Sequence, residues 1–243
     1  MKKKKAKVRK QKIKKEVAGY PQQLQLEEFF KCPIWFADEP KFVDSLNKAS
    51  DKYIEESKKT LKPTIDKRNK KFGNKGDMGH VFHSTTLIGD KKFDKLHQYV
   101  LATSHNLLDE MGYDLSNYQT FLTESWVQEF PKDGGGLHDT HCHWNGHISG
   151  FYFLKCDKEK TSLPVFIDPR NGKLMNLLPQ KDESKITYAS DKVYYVVKPG
   201  TMIFFPSFMP HQYILDLGYQ PFRFIHWNCQ AFPKGVVNAV QKK

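Results

Sequence analysis

Four of the chain's ten histidines, His138, His141, His143 and His147, fall within ten residues of one another. Residues two apart on a strand project from one face, so His141 and His143 present two imidazoles side by side while Cys142 points away. Neutral imidazole is the commonest protein metal ligand. A lone histidine is more often a surface or hydrogen-bonded loop residue, but an H-x-H pair between a glycine turn and an aromatic strand reads as a metal clamp. A redox metal needs protein ligands on one side and open positions on the other. The segment Pro199-Gly200-Thr201-Met202-Ile203-Phe204-Phe205-Pro206-Ser207-Phe208-Met209-Pro210-His211 offers the third ligand, with His211 aimed by a strand and a proline-bounded loop. Twelve residues later Arg223 stands among apolar neighbours, where a buried guanidinium is costly without an anion. Its planar fork suits a carboxylate. Asp139 shares a face with His141, so a set of Asp139, His141 and His211 is the alternative, and His138 and His147 read as supporting residues.

These residues need a rigid frame, and the hydrophobic pattern supplies one in two parts. Helical spacing runs over about 40–61 (Phe42, Val43, Leu46, Tyr53, Ile54), with Pro63 as the stop, and over about 91–111 (Phe93, Leu96, Val100, Leu107, Leu108), with Gly112 as the stop. An extended segment covers 27–35. From about residue 119 the period becomes two: 119–130, 147–155, 163–167, 186–196, 201–205, 211–215 and 221–231 are short Phe-, Tyr-, Val- and Ile-rich runs divided by Gly, Pro, Asn and Asp. This predicts a mainly β domain with supporting helices on one outer face.

The formal charge is +12, but ten of the first fifteen residues are Lys or Arg, so the remainder is near +2. Residues 1–18 are expected to form a disordered basic tail, either solubilising or in contact with nucleic acid or another acidic partner, and 19–243 a single domain. No run of 18 apolar residues exists and no apolar segment follows the basic start, so neither a membrane span nor a secretory signal is expected. Cys32, Cys142, Cys156 and Cys229 are too scattered for a disulfide framework or a zinc knuckle. An intracellular location is expected.

The motifs also run in a recognisable order. Ser125-Trp126, the glycine turn, His141-Cys142-His143-Trp144-Asn145, Ser149-Gly150-Phe151-Tyr152, the Pro199-to-His211 segment and Arg223 to Asn228 together resemble the 2-oxoglutarate/Fe(II)-dependent oxygenase superfamily, over about 119–231. More narrowly they resemble a branch frequent in marine phages and bacteria. The resemblance implies a double-stranded β-helix, a jelly-roll or cupin-like barrel with helices of the 40–112 region against its larger sheet. It implies Fe(II) held by His141, His143 and His211, with no catalytic side chain beyond the metal centre. It also implies 2-oxoglutarate as co-substrate with its far carboxylate on Arg223, and a tyrosine from the strand bearing Tyr152 and Phe153, only one of which faces inward. The expected reaction is hydroxylation of a substrate with release of succinate and CO2. His143 departs from the family's usual carboxylate. The alternatives are a three-His cupin-type metalloprotein that does not use 2-oxoglutarate, and a non-catalytic phage-type protein working through its basic start.

Overall fold

The change of period near Tyr118 divides helical support from sheet in the computed structural model, which describes residues 9–12, 18–19, 23–157, 159–175 and 178–241. The chain separates into two compact units, 1–33 and 34–243. In the first, strand β1 (Arg9–Lys12) pairs antiparallel with β2 (Gln23–Leu26). Of the expected basic tail, residues 1–8 and 13–17 lie outside the described residues.

The second unit opens with β3 (Trp35–Asp38) and α1 (Val43–Phe72), followed by β4 (Phe82–His83) and α2 (Asp94–Glu110). The strands β5 (Tyr118–Phe130), β6 (His138–His141), β7 (Ile148–Lys155) and β8 (Pro164–Ile167) come next, then the single turn α3 (Asn171–Leu174) and β9 (Lys192–Tyr194). The unit ends with β10 (Thr201–Pro206), β11 (His211–Tyr213), β12 (Phe222–Pro233) and α4 (Lys234–Gln241). The expected extended segment at 27–35 is a strand only from Trp35, and the 186–196 run only at Lys192–Tyr194.

Pro63 does not stop α1, which runs on to Gly73 in the left-handed conformation at φ +69°. Proline removes one helix hydrogen bond and crowds the carbonyl four residues back. Here Pro63 and Lys59 are both exposed, while Ile65 remains buried and holds the next turn to the core. Pro63→Ala is expected to raise stability by up to about 3 kcal/mol, read as a higher urea midpoint. An unchanged or lower midpoint would mean that proline fits this helix without cost.

All strand pairs are antiparallel. One sheet has the order β3-β10-β7-β12-β5-β4 and the other β6-β11-β8-β9. No ladder joins them among the described residues, so the expected jelly roll is present as two sheets that are not closed into a barrel. Alternation sorts the larger sheet. Val127, Tyr152, Leu154, Met202, Phe204, Ile225, Trp227 and Cys229 pack with Leu46, Ile54, Leu96, Val100 and Leu108 of the helices. Phe130, Phe151, Phe153, Phe205, Phe222 and Phe224 fill the space between the sheets, against Phe166 and Tyr213. Gly150 is required by this layering: a Cβ there would lie 2.4 Å from both the Ile203 carbonyl oxygen and the Trp227 ring.

Candidate metal centre

The smaller sheet brings the ligands together. His141 ends β6 and stands opposite His211 at the start of β11. His143, just beyond β6, is tethered by its backbone N–H to the Ser207 carbonyl at 2.9 Å. The three side chains each offer a nitrogen within 4.8 Å of the others, and the set contains no carboxylate. Asp139 is exposed, and the alternative set that included it is not the cluster assembled here. His138 packs on His141 with ring centroids 4.4 Å apart, whereas the Nδ1 of His147 accepts the Ala231 N–H at 3.0 Å outside the cluster.

Hydrogen bonds set two of the ligands for coordination. The Nδ1 of His141 lies 2.7 Å from the Asp139 carbonyl and that of His211 lies 3.0 Å from the Met209 carbonyl. A carbonyl requires an N–H, so both rings carry the proton on Nδ1 and leave Nε2 bare for a metal.

Burial, reinforced by the neighbouring imidazoles, lowers His211 to about 3 and His138 and His143 each to about 4. Unfolded histidines titrate near 6.5. Above that value neither state takes a proton, so these groups give no pH dependence. Between about pH 6.5 and the folded values the unfolded chain binds protons that the native protein refuses, and stability falls as pH falls. Thermal unfolding of the metal-free protein should therefore drop from pH 7 to pH 4.5, and His211→Gln should show a shallower slope. Identical slopes would contradict the neutral burial of His211.

Beside the ligands is a space of about 20 Å³ lined by Trp126, Gln128, His138, Phe151, Tyr213, Phe224 and His226 as well as the three histidines. That is enough for an ion or one water molecule. Four polar atoms from its lining, Trp126 Nε1, Gln128 Nε2, His143 Nε2 and Tyr213 Oη, are buried without a hydrogen-bond partner among the described residues. Buried polar groups are rarely left so, and a group of them facing one space points to a polar ligand. Neither Lys nor Arg lines it.

Arg223 is not there, which corrects the sequence reading. It faces the helices, and its Nε and Nη2 donate to Glu129 Oε2 at 2.7 and 2.6 Å. Its Nη1 donates to Asp51 Oδ1 at 2.6 Å and Ser50 Oγ at 3.1 Å. The anion that burial of this arginine demanded is the protein's own. Tyr152 likewise faces the helices, where its hydroxyl, pushed up to about 12 by burial, donates to the Glu39 carbonyl at 2.5 Å; Phe151 and Phe153 take the inward positions. Among the residues that line the site, Gln128, Tyr213 and His226 were given no role from sequence, and one usable signal was present. On β12, His226 and Asn228 share the parity of Phe222 and Phe224, and Arg223 does not.

Residues 124–218 match the family model described as "Putative 2OG-Fe(II) oxygenase", a stretch that includes all three histidines. The match covers less than half of the chain. No curated protein matches the chain. Among solved structures, AviO1 from Streptomyces viridochromogenes Tue57 is 13% identical, with 80% of this chain and 89% of that chain covered and a TM-score of 0.50. This likeness bears on the fold alone. The non-heme alpha ketoglutarate dependent epimerase SnoN from nogalamycin biosynthesis is 12% identical, covering 82% and 80%, TM-score 0.48. The viral collagen prolyl hydroxylase of Paramecium Bursaria Chlorella virus-1 is 12% identical, covering 81% and 94%, TM-score 0.46. The matched description names iron and 2-oxoglutarate, and the three imidazoles within the matched residues are a donor set that could hold a metal ion such as iron.

Proposed function

We propose that the chain is a 2-oxoglutarate- and Fe(II)-dependent dioxygenase that hydroxylates a substrate and releases succinate and CO2. The observation that carries this reading is the cluster of His141, His143 and His211 beside buried, unpartnered donors, within the segment that matches the family. Iron with 2-oxoglutarate and O2 supplies the oxidant, one oxygen atom going to the substrate and one to succinate. His141 and His211 hold the metal through Nε2. Tyr213 Oη, Gln128 Nε2 and Trp126 Nε1 are the donors for the co-substrate's carboxylates, in place of an arginine. Room for a five-carbon diacid has to come from movement of the aromatic rings around them. A separate cavity of about 700 Å³, bounded by Tyr113, Tyr118, Cys142, His143, Trp144 and Phe208, is the candidate approach for substrate.

Anaerobic loading with Fe(II), then 2-oxoglutarate, tests the assignment through a visible metal-to-ligand absorption band and through succinate formed on admitting O2. Absence of both in iron-loaded protein would overturn it. Tyr213→Phe and Gln128→Leu are each expected to raise the KM for 2-oxoglutarate about 10-fold, the cost of one hydrogen bond to a charged group, with Fe(II) affinity unchanged. The position of Arg223 and the absence of Lys or Arg from the lining favour one rival, a three-His cupin-type site that binds iron without 2-oxoglutarate. That rival predicts metal binding with no band and no succinate.

The narrower phage-and-bacterial resemblance rests on motif order. No described helix is long and apolar enough to cross a membrane. A reducing intracellular setting is supported by the unpaired thiols of Cys142, Cys156 and Cys229. A nucleic-acid or other acidic partner is supported by the ten basic residues among the first fifteen.

A further inference from the structure

His143 differs from its two companions. Its Nδ1 faces no carbonyl but the side-chain Nδ2 of the fully buried Asn228, at 3.3 Å. The same Nδ2 donates to the Glu124 carboxylate, and Asn228 Oδ1 accepts from Ser149 Oγ at 2.6 Å and meets His226 Nε2 at 3.2 Å. A carboxylate only accepts, so Glu124 fixes the amide with its NH2 toward itself and toward His143. A ring that accepts at Nδ1 keeps its proton on Nε2, the atom left buried without a partner. That tautomer has no lone pair on Nε2 for a metal.

We infer that Glu124, acting through Asn228, holds His143 in the tautomer that does not coordinate, so that the centre is a firm two-histidine site at His141 and His211 with a conditional third ligand. Glu124 and Asn228 are positioning residues: they touch neither metal nor substrate in this role, and they act by choosing which nitrogen of His143 is bare. To coordinate through Nε2, His143 must carry its proton on Nδ1 and the Asn228 amide must turn its oxygen to it, which sets that oxygen against Glu124. In the resting arrangement the Nε2–H of His143 joins Trp126, Gln128 and Tyr213 as a donor toward the same space. The inference rests on the reading of the histidine cluster as a metal centre, but its first readout does not.

That readout is nitrogen NMR of the histidine rings in the metal-free full chain. The wild type is expected to show His143 protonated on Nε2. Glu124→Gln can offer Asn228 either an oxygen or an NH2, so the amide is free to turn, and the proton is expected to shift toward Nδ1. The second readout is Co(II) affinity by chelator competition. Glu124→Gln should tighten Co(II) binding on the order of 10-fold, the scale of effects from residues behind a metal ligand. His143→Ala should cost less than about 3-fold beside Glu124 and about 10-fold more in the Glu124→Gln background. A residue needed only for packing would weaken binding when changed. Ser149→Ala, which frees the amide oxygen, should shift the tautomer in the same direction and guards against misfolding of the first variant. Nδ1 protonation of His143 in the wild type, or equal or weaker Co(II) binding in folded Glu124→Gln, overturns the inference. Failure of every variant and the wild type to bind Co(II) overturns the metal centre instead, and the tautomer readout still decides the role of Glu124.

Discussion

Replacing His211 by alanine is expected to lower Fe(II) affinity by more than about 100-fold, beyond the 10- to 100-fold range typical of residues that only support a ligand, and to abolish succinate formation. The side chain is 1% exposed, and its Nδ1 proton is committed to the Met209 carbonyl. Its ring packs on Phe151, Phe205 and Phe166 at centroid distances of 5.5, 4.8 and 6.2 Å. Ligand loss and loss of packing therefore arrive together in alanine. His211→Gln retains most of the volume and separates them: metal affinity should fall nearly as far, while the unfolding midpoint stays closer to wild type. Retained Fe(II) binding in both variants would remove His211 from the metal centre.

Arg223→Ala should act on stability instead of on the co-substrate. Breaking a buried ion pair strands the remaining charge and costs about 3–5 kcal/mol. Glu129, 2% exposed, would be left with Lys58 at 3.2 Å and a distant Lys155. The exposed Asp51 would return to water at little cost. A denaturant midpoint well below wild type is expected, with the KM for 2-oxoglutarate unchanged in whatever protein remains folded. Replacing both partners, Arg223→Met with Glu129→Met, should restore most of the loss, since an apolar pair of similar volume escapes the desolvation penalty. A stable Arg223→Ala variant with a raised 2-oxoglutarate requirement would place the guanidinium in the site after all.

The frame was legible wherever periodicity alone decides. The helices near 43 and 94 and the strands at 118–130, 148–155, 164–167, 201–206 and 222–233 follow from spacing and from Gly and Pro punctuation. His141 stands across the ladder from His211, but His143 lies beyond the strand and is placed by its tether to Ser207, which the two-residue spacing does not give. What spacing did not decide was which face of a strand meets the site. Arg223 was assigned from the cost of burying a cation, and that cost was real. The compensating carboxylates, however, came from Glu129, its cross-strand neighbour, and from Asp51, 172 residues away in the chain, which no local pattern reveals. Tyr152 and Phe153 were correctly seen as alternating, but the inward one is fixed by Gly150, whose missing side chain admits Trp227 on the helix side. The role of Glu124 depends on a hydrogen-bond chain across two strands and a loop, which is a property of three dimensions only.

β12 is the middle of this arrangement, paired along its length with β5 and β7. Its odd-numbered residues from Arg223 to Cys229 fasten the helices, and its even-numbered residues from Phe222 to Asn228 face the other way, with Phe224 and His226 lining the histidine site. Anchorage and chemistry are thus written into a single stretch of backbone as two interleaved messages. A substitution can edit one of them without touching the other, but the insertion or deletion of one residue exchanges their addresses, delivering the guanidinium to the aromatic interior and the imidazole to the helices. Gene lineages carrying this strand should accordingly tolerate exchange of residues in it far more readily than any change in its length.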